Sequence, residues 1–268
     1  MKLESKTALV TGAGSGIGRA TAIALARRGV HLVLFGRTGA KLEETAQLAA
    51  AHDVRIEAIA GDVTDEAACR RALDAARANF GRLDILINNA GNVRAGRLDK
   101  TSVDEIRSMI EVDLLAPILL SRAALPLLRA SGQAAIVNVA STSALIGSPF
   151  YATYAAAKAG LARFGEAMRR ELLDEGVHVM TIYPGATDTP MMASNHAGAD
   201  LGYTRETPEL VAEALIDGLV SGQREVIRAN EVRLAMVETN RNRPEVLDEH
   251  FRGLKSKMEA AVSGHSAM

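Results

Sequence analysis

The chain has 268 residues, 48% of them apolar and 24% charged, with a formal net charge of −1. Basic and acidic residues are mixed along its length, which excludes the basic footprint of a nucleic-acid binder and a polybasic membrane surface. No run approaches the ~18–20 apolar residues of a membrane span. The opening MKLESKTALVTG lacks the apolar centre of a signal peptide, and a cytoplasmic location is expected.

The elements follow in chain order. Thr7–Val10 (TALV) reads as a strand, and the glycine-rich turn TGAGSGIG leads from it into a helix over Ile17–Arg28. Val30–Phe35 (VHLVLF) is a second strand, followed by a helix over Lys41–His52. Arg55–Ala60, Leu83–Ile87, Ala135–Val139 and Val177–Tyr183 are further strands, and Glu225–Ile227 is a short seventh. Several are nearly continuous apolar runs, as expected for strands buried on both faces. Alternation of such strands with helical stretches predicts a doubly wound α/β fold of Rossmann type.

No linker divides the chain, so residues 1–268 are read as one domain. Pro190–Thr207 is polar and aperiodic, a loop of the functional kind. Residues 229–262 have a helical pattern with a break before Pro244, and the final SGHSAM is expected to fray. Cys69, the single cysteine, lies in the helical stretch ACRRALDAA and reads as a small filler. The six histidines show no metal-ligand spacing, and His31 and His178 read as structural.

The chemistry-bearing residues gather at strand ends. The turn Thr11–Gly18 departs from G-x-G-x-x-G, because Ile17 or Arg19 stands where the last glycine is required. Its strand–turn–helix context still suits a diphosphate, which bare N–H groups and a helix N-terminus favour; a ligand-free tight turn is the alternative. Asp62, Asn88–Gly91 and Pro184-Gly185 each follow a strand, where open α/β sheets bind ligands. Asn88 reads as a turn residue; Asp62 and Asn89 read as ligand contacts. The second strand ends in Gly36-Arg37. No acid stands there to select a free ribose, and the Arg37 fork suits a phosphate.

In FYATYAAAK, Tyr154 and Lys158 are four residues apart and share a helix face, whereas Tyr151 has Ala155 at that offset. A lysine charge pushes a tyrosine down from its usual pKa of about 10, towards the range where acid–base catalysis is efficient. Tyr154 is therefore the acid/base candidate. Tyr151 is expected to pack near the substrate mouth or cap the helix approach.

The spacing T-G-x-x-x-G-x-G, with Asp62-Val63, Asn88-Asn89-Ala90-Gly91, Pro184-Gly185 with Thr189, and Tyr-x-x-x-Lys, resembles the short-chain dehydrogenase/reductase family over about residues 5–190. The resemblance implies strand order 3-2-1-4-5-6-7. It implies cofactor contacts at Gly12, Ser15, Gly16, Ile17, Gly18, Arg37, Asp62, Val63, Asn89, Ala90, Gly91, Tyr154, Lys158, Pro184, Gly185, Thr187 and Thr189. NADP(H) is favoured over NAD(H) because Gly36-Arg37 replaces the acid.

Ser141 stands at the family's spacing for its catalytic serine, with Thr142 and Ser143 beside it. Asp113 occupies the place of an asparagine that holds a water in many members. The implied activity is reversible hydride transfer between nicotinamide and a small carbonyl or alcohol substrate through Ser141, Tyr154 and Lys158. An NADP-binding scaffold or sensor without turnover is the alternative. Asn92–Arg97, Thr142–Phe150 and Thr187–Tyr203 are the expected substrate walls. Helices around Ile106–Leu128 and Tyr154–Leu173 resemble the family's dimer-forming pair, so a homodimer or homotetramer is expected.

Overall fold

Seven parallel strands form the central sheet of the computed structural model, which describes residues 1–268. They are β1 (Thr7–Thr11), β2 (His31–Gly36), β3 (Ile56–Ala60), β4 (Ile85–Asn88), β6 (Ala134–Val139), β7 (Val177–Tyr183) and β8 (Glu225–Ile227), in the order β3-β2-β1-β4-β6-β7-β8. Counting sheet strands alone, this is the implied 3-2-1-4-5-6-7. The intervening helices are α1 (Gly16–Ala26), α2 (Gly39–Ala50), α3 (Glu66–Ala75), α4 (Val103–Ile110), α5 (Ala116–Ala130), α6 (Ala152–Glu171) and α7 (Pro208–Ser221).

Successive strand side chains point to opposite faces, and both faces here are covered. Ala8 and Val10 of β1 join a core layer with Ala22 and Leu25 of α1 and Leu215 of α7. Leu9, between them, joins the opposite layer with Leu73 of α3 and Leu120 of α5. Leu32, Leu34 and Val33, Phe35 divide in the same way. Double-sided burial is why these strands carry unbroken apolar runs.

Two features lie outside the sequence reading. A two-residue strand, β5 (Val93–Arg94), pairs antiparallel with β9 (Ser266–Ala267). The expected fraying of SGHSAM is therefore corrected. After α8 (Glu231–Asn242) and α9 (Pro244–Val262) the chain turns back, and the Ser266 N–H donates to Ser194 Oγ at 3.1 Å. A partner strand from residues far away in the chain supplies the order that local sequence lacks. Second, α4 and α5 are joined through a π-helical turn, Glu111–Leu115, which carries Asp113. Such single turns recur at functional sites.

Candidate active site

The glycine turn is built by close contact. Gly12 has φ +65°, and a Cβ on Gly18 would fall 2.3 Å from the Gly12 carbonyl oxygen and 2.4 Å from Asn89 Nδ2. Only glycine lets α1 pack this near β1. The same turn is tied to the segment after β4. Thr11 Oγ1 accepts from the backbone N–H of Asn89 and of Ala90, each at 2.9 Å, and the Asn89 amide donates to the Thr11 carbonyl at 2.8 Å. Asn89, read as a ligand contact, thus has a structural partner as well. Asp62 is similar: its Oδ1 accepts from the Thr64 N–H at 2.8 Å and hydroxyl at 2.7 Å. Asn88 does hold the fold, donating to Ser121 Oγ at 3.0 Å and Asn138 Oδ1 at 2.9 Å.

A cleft of about 640 Å³ runs along the C-terminal ends of the strands. Gly12, Ser15, Gly16, Ile17, Arg37, Asp62, Val63 and Asn89–Gly91 line it, as do Pro184, Gly185, Thr187 and Thr189. Ser141, Tyr154 and Lys158 line it too. Gly18 and Asp113 do not. Gly18 is covered by its contact with Gly12, and Asp113 sits behind Lys158, fully buried.

Of the expected substrate walls, Asn92, Val93, Thr142, Ser143, Met191, Met192, Asn195 and Tyr203 face the cleft. Leu145, Ile146, Phe150, Arg94 and His196 do not line it. Arg94 is held instead by Glu105 at 3.0 Å and by the Ser263 carbonyl at 2.9 Å. Phe150, with φ +71°, is a strained residue whose carbonyl accepts from the Gly96 N–H at 2.8 Å. It leads into Tyr151, the residue before α6.

Around the reacting end the side chains form one electrostatic unit. The Ser141 hydroxyl adjoins the Tyr154 phenol and accepts the Ser143 N–H at 3.1 Å. Lys158 Nζ lies 5.8 Å from the Tyr154 ring centre and donates to the Val139 carbonyl at 3.1 Å. It also lies 3.0 Å from Asp113 Oδ1, close enough for an ion pair but without hydrogen-bond alignment. The other Asp113 oxygen accepts the Asn92 N–H at 3.3 Å. A Cβ on Gly91 would meet Asp113 Oδ1 at 2.7 Å and Lys158 Nζ at 3.3 Å, so this pair also requires a glycine beside it.

Burial raises the Asp113 pKa, and the Lys158 charge opposes that rise without cancelling it. Burial opposes the Lys158 ammonium, but Asp113 and Tyr154 outweigh it and hold Lys158 above the usual lysine value. Tyr154 is corrected in sign. Lys158 and Ser141 do draw its pKa down, but burial and the Asp113 charge exceed them, and the net direction is up. A carboxylate behind the lysine offsets much of the field that the Tyr154–Lys158 spacing alone suggests.

A family model described as short chain dehydrogenase matches residues 6–200. The chain belongs to the short-chain dehydrogenase family. It is an oxidoreductase of that family, 33% identical over 235 residues to an uncharacterized oxidoreductase of Staphylococcus aureus strain N315, a match covering 88% of this chain and 99% of the relative. A short-chain dehydrogenase from Burkholderia cenocepacia, solved in complex with NADP, superposes with TM-score 0.76 at 31% identity over 85% of this chain and 98% of that one. A 3-ketoacyl-(acyl-carrier-protein) reductase from Brucella melitensis, complexed with NADH, gives TM-score 0.75 at 28% identity over 84% and 97%.

The dehydrogenase adds residues beyond the matched segment that sequence reading missed. Arg233 of α8 and His265 before β9 both line the cleft. His265 Nδ1 lies 3.1 Å from Ser194 Oγ, and its ring stands edge-on to Tyr151 with centres 6.2 Å apart. Tyr151 is buried, and its hydroxyl accepts the Asn195 amide at 2.8 Å. The stretch holding Arg233 reads as an amphipathic cover, and no local pattern separates an arginine facing the cleft from one facing water.

Other assignments are structural. Cys69 is buried and its thiol pushed up to about 11 by burial and nearby carboxylates. His31 Nδ1 accepts the Arg55 N–H at 3.2 Å, and His178 Nε2 lies 2.8 Å from the Gln223 carbonyl. No helix is long and apolar enough to cross a membrane.

Proposed function

We propose that the protein is an NADP(H)-dependent dehydrogenase/reductase that interconverts a carbonyl compound and its alcohol. The observation that carries this reading is Ser141, Tyr154 and Lys158 on one wall of a cleft whose other end is a glycine turn. The residues fit a nicotinamide dinucleotide. Gly12 and Gly16 keep that end open to a diphosphate. Arg37 is exposed, is held only by a long hydrogen bond to the Met268 oxygen at 3.4 Å, pairs with no Asp or Glu side chain and stands where an acid would bind a free ribose, which supports the 2′-phosphate of NADP(H). The solved relatives carry either form, NADP in that from Burkholderia cenocepacia and NADH in that from Brucella melitensis, so the choice rests on Arg37. Lys158 and the Asn89–Gly91 segment, which line the same cleft, would hold the second ribose.

When bound, the cofactor supplies or accepts the hydride. In the direction of reduction, the Ser141 hydroxyl donates to the substrate carbonyl oxygen as charge builds there. Tyr154 gives that oxygen its phenolic proton. Lys158 keeps a positive charge near the phenolate that results, and Asp113 holds the ammonium in place. In oxidation the same groups act in reverse, with the Tyr154 phenolate taking the alcohol proton.

The proposal extends to a homodimer or homotetramer through α4–α5 and α6; Leu115, in the π-turn between α4 and α5, and Leu173, two residues past α6, are exposed. It also extends to a cytoplasmic setting, which suits a lone reduced Cys69.

Oxidation of NADPH and NADH, followed by absorbance across a panel of ketones and aldehydes, tests the reading. Turnover with NADPH that falls at least 100-fold in Tyr154→Phe is expected. Turnover that survives in Tyr154→Phe would remove Tyr154 as the acid. Tight NADPH binding without turnover of any substrate, in either direction, would favour a binding scaffold.

A further inference from the structure

Seven basic side chains face the cleft, and their partners differ. Lys158 pairs with Asp113, Arg228 with Glu206 at 2.6 Å, and Arg205 stands 3.8 Å from Asp188 and donates to the Asn195 carbonyl at 2.7 Å. Arg37 and Lys41 belong to the glycine-turn end, and His265 is held neutral by burial. Arg233 has no carboxylate within ion-pair distance, and its one hydrogen bond is a long contact with Ser148 Oγ at 3.4 Å. It is half-buried on the inner side of α8.

A guanidinium withdrawn from water without a counter-ion is costly, and arginine does not relieve the cost by losing its proton. Its surroundings offer only neutral groups. Tyr203 lies beside it, and the Tyr203 and Tyr151 hydroxyls are neighbours. Tyr151 in turn receives the Asn195 amide and stands 6.3 Å, ring to ring, from Tyr154. Arg233 is thus linked through two tyrosines to the proposed acid, along the wall that the substrate must touch.

Resting on the oxidoreductase reading above, we propose that Arg233 binds a carboxylate carried by the substrate, so that the enzyme acts on oxo-acids and hydroxy-acids in preference to neutral carbonyl compounds. One unpaired cation matches one negative charge, and the planar guanidinium fork matches the two oxygens of a carboxylate. A phosphate dianion would leave charge uncompensated there. Met191, Met192 and Tyr203 line the same cleft, which suits a short apolar spacer between carboxylate and reacting carbon.

The test compares 4-oxo-4-phenylbutanoate with its methyl ester, and 4-oxopentanoate with its methyl ester. Binding to NADP-saturated protein is measured by calorimetry, and turnover separately by NADPH oxidation. Wild type should bind at least one acid 10-fold or more tighter than its ester. Arg233→Met should abolish that difference while leaving ester and NADP binding unchanged, and Arg233→Lys should keep part of it.

Equal binding of acid and ester by wild type in both pairs overturns the proposal. So does loss of NADP affinity in Arg233→Met, or equal loss of both ligands. If Arg233→Met fails to fold, the wild-type comparison and Arg233→Lys decide. An acid preference that depends on Arg233 upholds the carboxylate site whether or not these acids are reduced. Only silence of the whole carbonyl and alcohol panel, in both directions, counts against the dehydrogenase/reductase reading, so the two can fail separately.

Discussion

Lys158 Nζ stands 3.0 Å from Asp113 Oδ1, and both side chains are withdrawn from solvent. The ammonium that faces Tyr154 is therefore half of an ion pair, and the charge felt by the phenol is a difference between two opposite charges. Buried pairs of this kind titrate together. Asp113 also meets the Asn92 N–H, so it links the π-turn between α4 and α5 to the segment after β4.

Asp113→Asn removes the negative charge and keeps the shape. Asp113 raises the Tyr154 pKa, so the variant's Tyr154 pKa should fall. Alcohol oxidation requires the phenolate, and its kcat/KM rises with pH through the Tyr154 pKa. The rising limb should therefore move to lower pH in Asp113→Asn. Nicotinamide reduction measured between pH 7 and about 11 reads the shift; an unmoved limb would disconnect Asp113 from the proton transfer.

Arg37→Ser tests cofactor choice without touching the reacting end. A charge-assisted hydrogen bond contributes about 1.5–3 kcal/mol, or roughly 10- to 100-fold in affinity. NADPH binding should weaken by that factor while NADH binding stays level, as read by fluorescence titration. Equal weakening of both would assign Arg37 to general attraction.

His265 gives a stability signature. Burial, then the charges of Arg205 and Arg94, push its pKa down to about 4. The unfolded imidazole titrates near about 6.5. Below that value the unfolded state binds the extra proton, so the contribution of neutral His265 is full above about 6.5 and is lost as pH falls towards 4. Denaturant unfolding at pH 7 and pH 5 should show a smaller loss of stability in His265→Gln than in wild type. His265→Gln should also raise the substrate KM and leave NADPH affinity unchanged, because the imidazole lines the cleft beside Tyr151, away from the glycine turn.

Asp84 is the counterpart at the opposite end of the sheet. It is fully buried, accepts the Thr7 N–H at 2.9 Å and pairs with Arg82 at 2.5 Å and Lys6 at 3.1 Å. Burial raises its pKa, but Arg82, the Thr7 N–H and Lys6 outweigh this and hold it below the usual carboxylate value. Its contribution is complete above the unfolded value of about 3.9 and is lost as pH falls through the depressed native value. Asp84→Asn should destabilise the protein by about 1–3 kcal/mol at pH 7 and leave turnover intact. Thermal unfolding beside the activity assay separates the two effects.

The alternating layers were legible because each depends on local order. Leu9 and Val10 must face opposite sides of a strand whatever surrounds them, so an unbroken apolar run already means two covered faces. The Tyr154–Lys158 spacing specifies one helix face for the same reason. The reading failed where a remote partner decides. Ser266 and Ala267 become a strand only because Val93 and Arg94 offer an edge. The direction of the Tyr154 pKa depends on burial and on Asp113, a residue 41 positions earlier in the chain.

By itself, then, the sequence determined the strand–helix alternation, the glycine turn and the pairing of Tyr154 with Lys158, all consequences of backbone period and residue type over a few positions. Tertiary structure alone decided that Asp113 backs the lysine, that the C-terminal segment walls the cleft, and that Arg233 faces inward without a counter-ion. Burial and Coulomb interactions act across space, and the distances that set them are absent from the order of residues along the chain.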